Sequence, residues 1–468
     1  MRVPRSLTGL VLTAGDPGYD EARLDYNTAL PPRFPLYINY GRAVSDISRA
    51  VRFSRGHRLC LRARSGGHSY EGYSVATGAV VADVSRLDEV RFNRASGLAE
   101  VGAGAPLLAV YQKLWDQGRV TIPAGSCASV GTAGLTLGGG FGLVSRAFGL
   151  TADALSALEM VGAGGEVVGA NAVHRENLFW ASRGGGGGNF GIVTRFWFRT
   201  FPVGLVTTFA ILWPWVELGE VMRSFQVWAD PRRLDRRIVP LLKLTSRLAG
   251  QVLAVGEFLG PKDELVPLLR PLLLTGHPVR TTITERSYID AVYYFAGVKP
   301  GEPELLAQGP PPGTLDSPPG HEMFKNTSAY QMELFPDEAI ETMVRHLSAS
   351  RNPATLVQFD GMGGAVSDVP VRATAFPHRR ARASLQYQAY WERPGEAAEN
   401  VRWVEGFRQA MLPWTSGAYV NYIDRFNENW PQAYYGDNLE RLVRVKKAYD
   451  PANVFRFPQG LSELTGGA

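Results

Sequence analysis

Of the two cysteines in this 468-residue chain, Cys127 lies among Gly125, Ser126, Ala128 and Ser129, which give it no apolar cover. A thiol in such surroundings is suited to act as a thiolate nucleophile. Cys60, in the apolar run Leu59-Cys60-Leu61, reads instead as an inert buried thiol. His68 belongs to the run Arg64-Ser65-Gly66-Gly67-His68-Ser69-Tyr70, directly after a strand pattern. Two glycines with nearby serines make a turn whose backbone N–H groups can converge on an anion such as a pyrophosphate. A Gly-Gly pair is also ordinary loop punctuation, and a lone loop histidine is commonly a satisfied one. Tyrosines crowd the C-terminal part: Tyr419, Tyr422, Tyr434, Tyr435 and Tyr449. Each offers either a reactive phenol or a large apolar body for packing.

Glycine marks two further segments. Residues 123–153 contain Gly125, Gly131, Gly134, Gly138, Gly139, Gly140, Gly142 and Gly149, too many for a regular helix or strand. The pattern calls for a backbone that passes close to a flat or phosphorylated ligand. It lacks the third glycine of the Rossmann fingerprint and the Gly-Lys-Ser/Thr of a P-loop. Five consecutive glycines, Gly184 to Gly188, precede Asn189-Phe190-Gly191-Ile192-Val193. A flexible linker would carry serine and polar residues on both sides, which this run does not.

These segments need a scaffold. Alternating patterns predict a strand at Leu36–Asn39, a helix over 42–55, strands at 58–64 and 80–84, and a helix through Leu107, Val110, Tyr111 and Leu114. A hairpin is predicted around the turn 162–165. The first 200 residues therefore read as α+β or α/β. Beyond Phe201-Pro202, apolar runs at 207–215, 251–258 and 385–391 alternate with helical stretches at 218–228 and 337–348, the pattern of a sheet covered by helices. A proline-rich loop carries Pro310, Pro311, Pro312, Pro318 and Pro319, as a surface excursion or a lid.

Composition sets outer limits. Hydrophobic residues make up 45% and charged residues 20%, ordinary for a globular protein. The net charge of +5 is small for this length, and no basic stripe interleaved with aromatics points to nucleic acid. Two cysteines exclude a disulfide framework and a cysteine-built zinc cluster, so no metal is expected. The stretch Leu7–Ala14 is short and broken by Gly9, so it does not read as a signal peptide, and no apolar run is long enough to span a membrane. A soluble, cytoplasmic protein is the expectation, as a monomer or dimer.

In order along the chain, R-S-G-G-H-S, G-x-C-x-x-V-G-x-x-G with a later G-G-G-x-G, R-G-G-G-G-G-N-F-G, N-Y-x-D and the closing Y-D-P-x-N-x-F resemble the berberine-bridge-enzyme-like branch of the vanillyl-alcohol-oxidase flavoproteins. The resemblance implies an α+β fold with a two-subdomain FAD-binding domain and a substrate domain built on an antiparallel sheet covered by helices. It places the FAD-binding domain at 1–203, the substrate domain at 204–415, and a segment completing the FAD-binding domain at 416–468. It implies FAD attached covalently, through His68 to the 8α carbon and through Cys127 to C6 of the ring. Arg64, Ser65, Gly66, Gly67 and Ser69 then belong to the cofactor site, as do Val130, Gly131, Thr132, Gly134, Gly139 and Gly142. Gly191, Ile192 and Val193 join them, with Tyr419 and Asn421 from the C-terminal segment.

Tyr422 matches the family's tyrosine base, and Val130 matches the position that gates oxygen, where valine accompanies oxidases. A phenol ionises near 10 and needs help to act as a base at neutral pH. Where the family supplies a carboxylate before F-P-H-R, this chain reads Arg372, leaving Asp368 or the cation itself for that role. Tyr70, Phe141 and Arg372 are expected at the substrate, and Tyr387, Tyr390 and Trp391 offer stacking faces for a sugar or, equally, sheet packing. The implied activity is oxidation of a hydroxyl on a carbohydrate or specialised metabolite, with O₂ reduced to H₂O₂. A natural-product tailoring oxidase or oxidative cyclase, a dehydrogenase, and a flavin-binding protein that has lost activity are the alternatives.

Overall fold

The computed structural model describes residues 3–297 and 321–466, so the proline-rich loop lies outside the described residues. A four-stranded sheet runs in the order Leu10–Leu12, Tyr37–Tyr40, Val80–Asp83, Leu61–Arg64, with its last three strands parallel. A five-stranded antiparallel sheet follows: Val90–Asn93, Leu98–Gly102, Ile192–Arg199, Leu155–Val161, Val167–Asn171. The predicted hairpin is its edge, and the five-glycine run leads from the helix Glu176–Ala181 into its central strand. One apolar core unites these sheets with residues near the C-terminus, including Tyr434, Tyr435, Leu442 and Phe455.

The larger sheet has eight strands, all antiparallel: Arg280–Ser287, Leu205–Pro214, Gln251–Phe258, Ile238–Thr245, Thr355–Gly361, Ala383–Trp391, Met323–Gln331 and Thr415–Ser416. Alternate side chains of a strand point to opposite faces. Phe209, Ile211 and Trp213, with Val252, Ala254 and Phe258, therefore meet a layer of helices on one face. The helix Asp337–Ala349 shows why that layer forms. Pro336 and the acidic Asp337 and Glu338 start it, and Ile340, Met343 and Leu347 recur at helical spacing to make its buried stripe.

Sequence motifs at a distance turn out to be locks. Arg379 of F-P-H-R, 1% exposed, donates two hydrogen bonds to Asp153 at 2.6 and 2.7 Å. Lys446 and Asp450 of the closing motif form a fully buried pair at 2.6 Å. Lys446 also donates to the carbonyls of Asn189 and Phe455, tying the glycine run to the tail. Cys60, expected to be buried, is half-buried, just ahead of the strand Leu61–Arg64.

Arg146 is a further staple. Its side chain is fully buried and donates to the carbonyls of Leu234, Ile238 and Met362, with no carboxylate in ion-pair contact among the described residues. Burial pulls its ionisation down to about 10, still charged at neutral pH. Arg146→Met removes a donor from three carbonyls, those of Ile238 and Met362 in buried surroundings, at roughly 1–3 kcal/mol for each one left unsatisfied. A loss of about 3 kcal/mol or more is expected in urea unfolding followed by flavin fluorescence. A change within about 0.5 kcal/mol would remove Arg146 from the fold's supports.

Candidate active site

The strand Leu61–Arg64 ends at the turn carrying His68. Ser65 Oγ donates to the Ala103 carbonyl at 2.8 Å, anchoring the turn to the second sheet. Here two motifs touch backbone to backbone: a Cβ on Gly66 would stand 2.4 Å from the Gly131 nitrogen, closer than any side chain allows. His68 stacks on Tyr26 with ring centroids 4.2 Å apart, and its Nε2 lies 3.1 Å from Ser129 Oγ. Burial draws its pKa down to about 4, so the imidazole is neutral at physiological pH.

Cys127 sits in a turn held from both sides. Tyr111 Oη donates to the Gly125 carbonyl at 2.7 Å. Leu107 and Leu108, whose amides have no partner within their own helix, donate to the carbonyls of Val130 and Ala128. His68 and Cys127 line one cavity of about 480 Å³, within the usual range for ligand sites. Ser65, Gly66, Gly67, Ser69, Val130, Gly131, Gly134 and Gly142 reach its wall. So do Gly191, Ile192, Val193, Tyr419 and Asn421.

The C-terminal motif brings the phenols. Tyr419 Oη accepts from the Gly140 amide at 2.9 Å and from Asn421 Nδ2 at 2.8 Å. Tyr422 then lies on the cavity wall, stacked on Tyr70 with centroids 5.2 Å apart and planes 5° from parallel. Phe141 meets it edge-on at 6.3 Å. Opposite them is the second face of the eight-stranded sheet. A chain of hydrogen bonds runs along it: Asn326 donates to Tyr390 at 3.2 Å, Tyr390 to Gln388 at 3.1 Å, Gln388 to Gln386 at 3.0 Å, and Gln386 to Tyr70 Oη. Gln358 Nε2 donates to Asp360 Oδ1 at 2.8 Å, while Asp360 Oδ2 is buried without a hydrogen bond. Burial raises the Asp360 carboxyl to about 7. Burial also holds Tyr422 well above the usual phenol value, with Tyr70 and Asp360 adding to the rise.

Several expected positions lie elsewhere. Tyr387 and Trp391 face the helix layer, where Tyr387 meets Phe407 at 5.0 Å; the pleat sends Gln386, Gln388 and Tyr390 to the cavity instead. Asp368 pairs with Arg236 at 3.1 Å on the surface. Arg372, with 78% of its side chain exposed, lies 3.9 Å from Asp437. Arg64 borders the cavity, yet its guanidinium is held by Asp83, the Ala22 carbonyl and Tyr40 Oη, so it braces the turn. Thr132 donates to the Ala105 carbonyl behind the wall, and Gly139 backs onto Phe376. The sequence reading missed Asp360, Gln358, Gln386, Gln388 and Asn326. For Gln358 and Asp360 the signal was available in Val357-Gln358-Phe359-Asp360, an alternation of apolar and polar residues.

Residues 35–171 match the FAD binding domain family, and residues 418–462 match the berberine and berberine-like family. The FAD-linked oxidoreductase YgaK of Bacillus subtilis is 38% identical over 98% of both chains. The chain belongs to the berberine-bridge-enzyme-like FAD-linked oxidoreductases of the vanillyl-alcohol-oxidase superfamily. Berberine-bridge-enzyme-like 1 of Physcomitrella patens superimposes with a TM-score of 0.87 at 31% identity, over 97% of this chain and 96% of that one. A chitooligosaccharide oxidase gives 0.86 at 27% identity, over 97% of each chain. The grass pollen allergen Phl p 4, with glucose dehydrogenase activity, gives 0.86 at 28% identity over 98% and 97%; its isoleucine-to-valine variant is described as a glucose oxidase.

The cavity of this berberine-bridge-enzyme-like chain fits FAD. A Cβ on Gly134 would meet nothing within 4 Å, and one on Gly187 would meet only atoms at 3.8 Å or beyond; both would project into the cavity these glycines line. Among the described residues, no helix is long and apolar enough to cross a membrane, and no cluster of three or more His, Cys, Asp or Glu could hold a metal.

Proposed function

We propose that the chain is an oxidase that carries FAD on His68 and Cys127 and oxidises a hydroxyl of a carbohydrate at the expense of O₂. The observation that carries this reading is the stacked pair Tyr70–Tyr422 on the wall of the cavity that both attachment residues line. FAD, held there by His68 and Cys127, would supply two-electron acceptor chemistry for the substrate carbon, with O₂ as the final oxidant. The protein handles the proton. Tyr422 Oη takes it from the substrate hydroxyl, and because this phenol is itself protonated at rest it passes its own proton to Asp360. Asp360 accepts only when ionised, so kcat/KM rises with pH through about 7.

Tyr70 Oη accepts from Gln386, which leaves its own proton to donate to a substrate oxygen. The amides of Gln358, Gln386, Gln388 and Asn326 both donate and accept, as sugar hydroxyls do. The oligosaccharide and glucose oxidases among the structural neighbours support the same class. Val130 at the cavity wall supports O₂ as acceptor, in keeping with the valine variant of Phl p 4. The test is H₂O₂ release across a panel of mono- and oligosaccharides. Val130→Leu is expected to slow reoxidation of the reduced enzyme by air without slowing its reduction. Silence on every sugar would transfer the site to a tailoring oxidation, and reduced enzyme that air does not reoxidise would overturn the oxidase reading.

A further inference from the structure

Behind the two stacked phenols lies a buried charge cluster that the proton transfer does not use. Lys325, on the strand Met323–Gln331, turns to the face opposite Asn326. Its Nζ donates to Asp424 Oδ1 at 2.5 Å and to Glu71 Oε1 at 3.1 Å. Glu71 directly follows Tyr70, and Asp424 is two residues after Tyr422. One ammonium therefore tethers both phenol-bearing segments. The tether is reinforced: Thr327 Oγ1 donates to Asp424 Oδ2 at 2.6 Å, the Phe426 amide to Asp424 Oδ1 at 3.0 Å, and the Arg425 amide to Glu71 Oε1 at 3.3 Å.

A third carboxylate comes from the helix Ala397–Met411. Glu405 Oε1 lies 3.3 Å from Lys325 Nζ, and that oxygen is buried with no hydrogen bond of its own. The charged groups facing the cluster are Glu71 beside Tyr70, Asp424 and Arg425 from the C-terminal motif, and Glu405 and Arg408 from the helix. The ammonium carries one positive charge against three carboxyl groups, so an ionised Glu405 shares it with Glu71 and Asp424.

We infer that Lys325 is a positioning residue for Tyr70 and Tyr422, and that the ionisation of Glu405 sets how firmly it holds them. The inference rests on the reading of Tyr422 as proton acceptor. When Glu405 carries a proton, Lys325 is shared between Glu71 and Asp424, and both phenol segments stay tethered. When Glu405 ionises, it competes for the same ammonium and draws it toward the helix. Burial and the charge of Asp424 raise Glu405 to about 7, so the exchange occurs at physiological pH.

The test uses the flavin-loaded enzyme and needs no substrate. Its oxidised visible spectrum is titrated from about pH 5 to pH 9 in an Asp360→Asn background, which removes the acid on the cavity wall that titrates near 7; Asp25, near 6, and Glu257, near 8, do not line the cavity. One spectral step near neutrality is expected. It should vanish in Asp360→Asn/Glu405→Gln and persist in Asp360→Asn/Glu405→Asp. A step that survives Glu405→Gln, or no step in the parent, overturns the inference. Failure of the Tyr422 reading is separately visible, because it appears in the turnover of Tyr422→Phe.

Discussion

Tyr422→Phe is expected to keep its covalent flavin and its fold while losing roughly a hundredfold to ten-thousandfold in kcat, the usual contribution of a positioned general base. The substitution removes one oxygen and retains the ring that stacks on Tyr70 and meets Phe141 edge-on, so the wall keeps its shape. What it removes is the only route, in this reading, from the substrate hydroxyl to Asp360. Loss in kcat with little change in KM would mark an interaction made in the transition state. Asp360→Asn should also lower kcat and abolish the rise of kcat/KM with pH through about 7, since its carboxylate is the group that must be ionised. Wild-type turnover in Tyr422→Phe would remove the phenol from the reaction and leave the cavity in search of another base.

The second large effect concerns the cofactor. If His68 and Cys127 both hold the flavin as proposed, acid-precipitated wild-type protein stays yellow, because covalent bonds survive denaturation. His68→Ala and Cys127→Ala should each stay yellow through the remaining bond, and the double variant should release its colour to the supernatant. The surroundings of His68 suit the proposed attachment. His68 is neutral down to about pH 4, so its ring nitrogen keeps a lone pair for attack. Tyr26 on its face and Ser129 at Nε2 fix the ring's orientation. Ser129 is two residues from Cys127, so the contact that orients His68 also ties in the loop carrying Cys127. Colour released from wild type would end the bicovalent reading, and colour retained by the double variant would reveal a third attachment point.

Much of the site was legible as motifs, because backbone chemistry leaves its mark in glycine. Close approach of the 66 and 131 backbones excludes a side chain, and the open cradle at Gly134 and Gly187 leaves room for the ligand. The sheet residues were harder to read. Tyr387, Trp391, Gln386 and Gln388 share one strand, and the aromatic residues drew attention although the amides face the cavity. A shift of one residue reverses the face of every side chain in a strand, so composition alone cannot assign them. The carboxylate was misplaced for a related reason. Asp368 is near the expected motif in sequence, but the short helix Ala365–Asp368 carries it to the surface, while Asp360 ends a strand inside the cavity.

Residue order alone determined the chemistry on offer: an uncovered thiol, a histidine in a glycine turn, phenols near the C-terminus, and backbone stretches bare enough to admit a large flat ligand. Only the tertiary structure decided which of these meet, and which acid shares the cavity with the phenol. His68 and Tyr422 are 354 positions apart, yet line one cavity. That proximity is made by sheet register and by buried locks such as Arg379–Asp153 and the hydrogen bond from Lys446 to the Asn189 carbonyl. Such pairings depend on burial and on the desolvation that penalises a charge left unpaired, and neither is a property of any short stretch of chain.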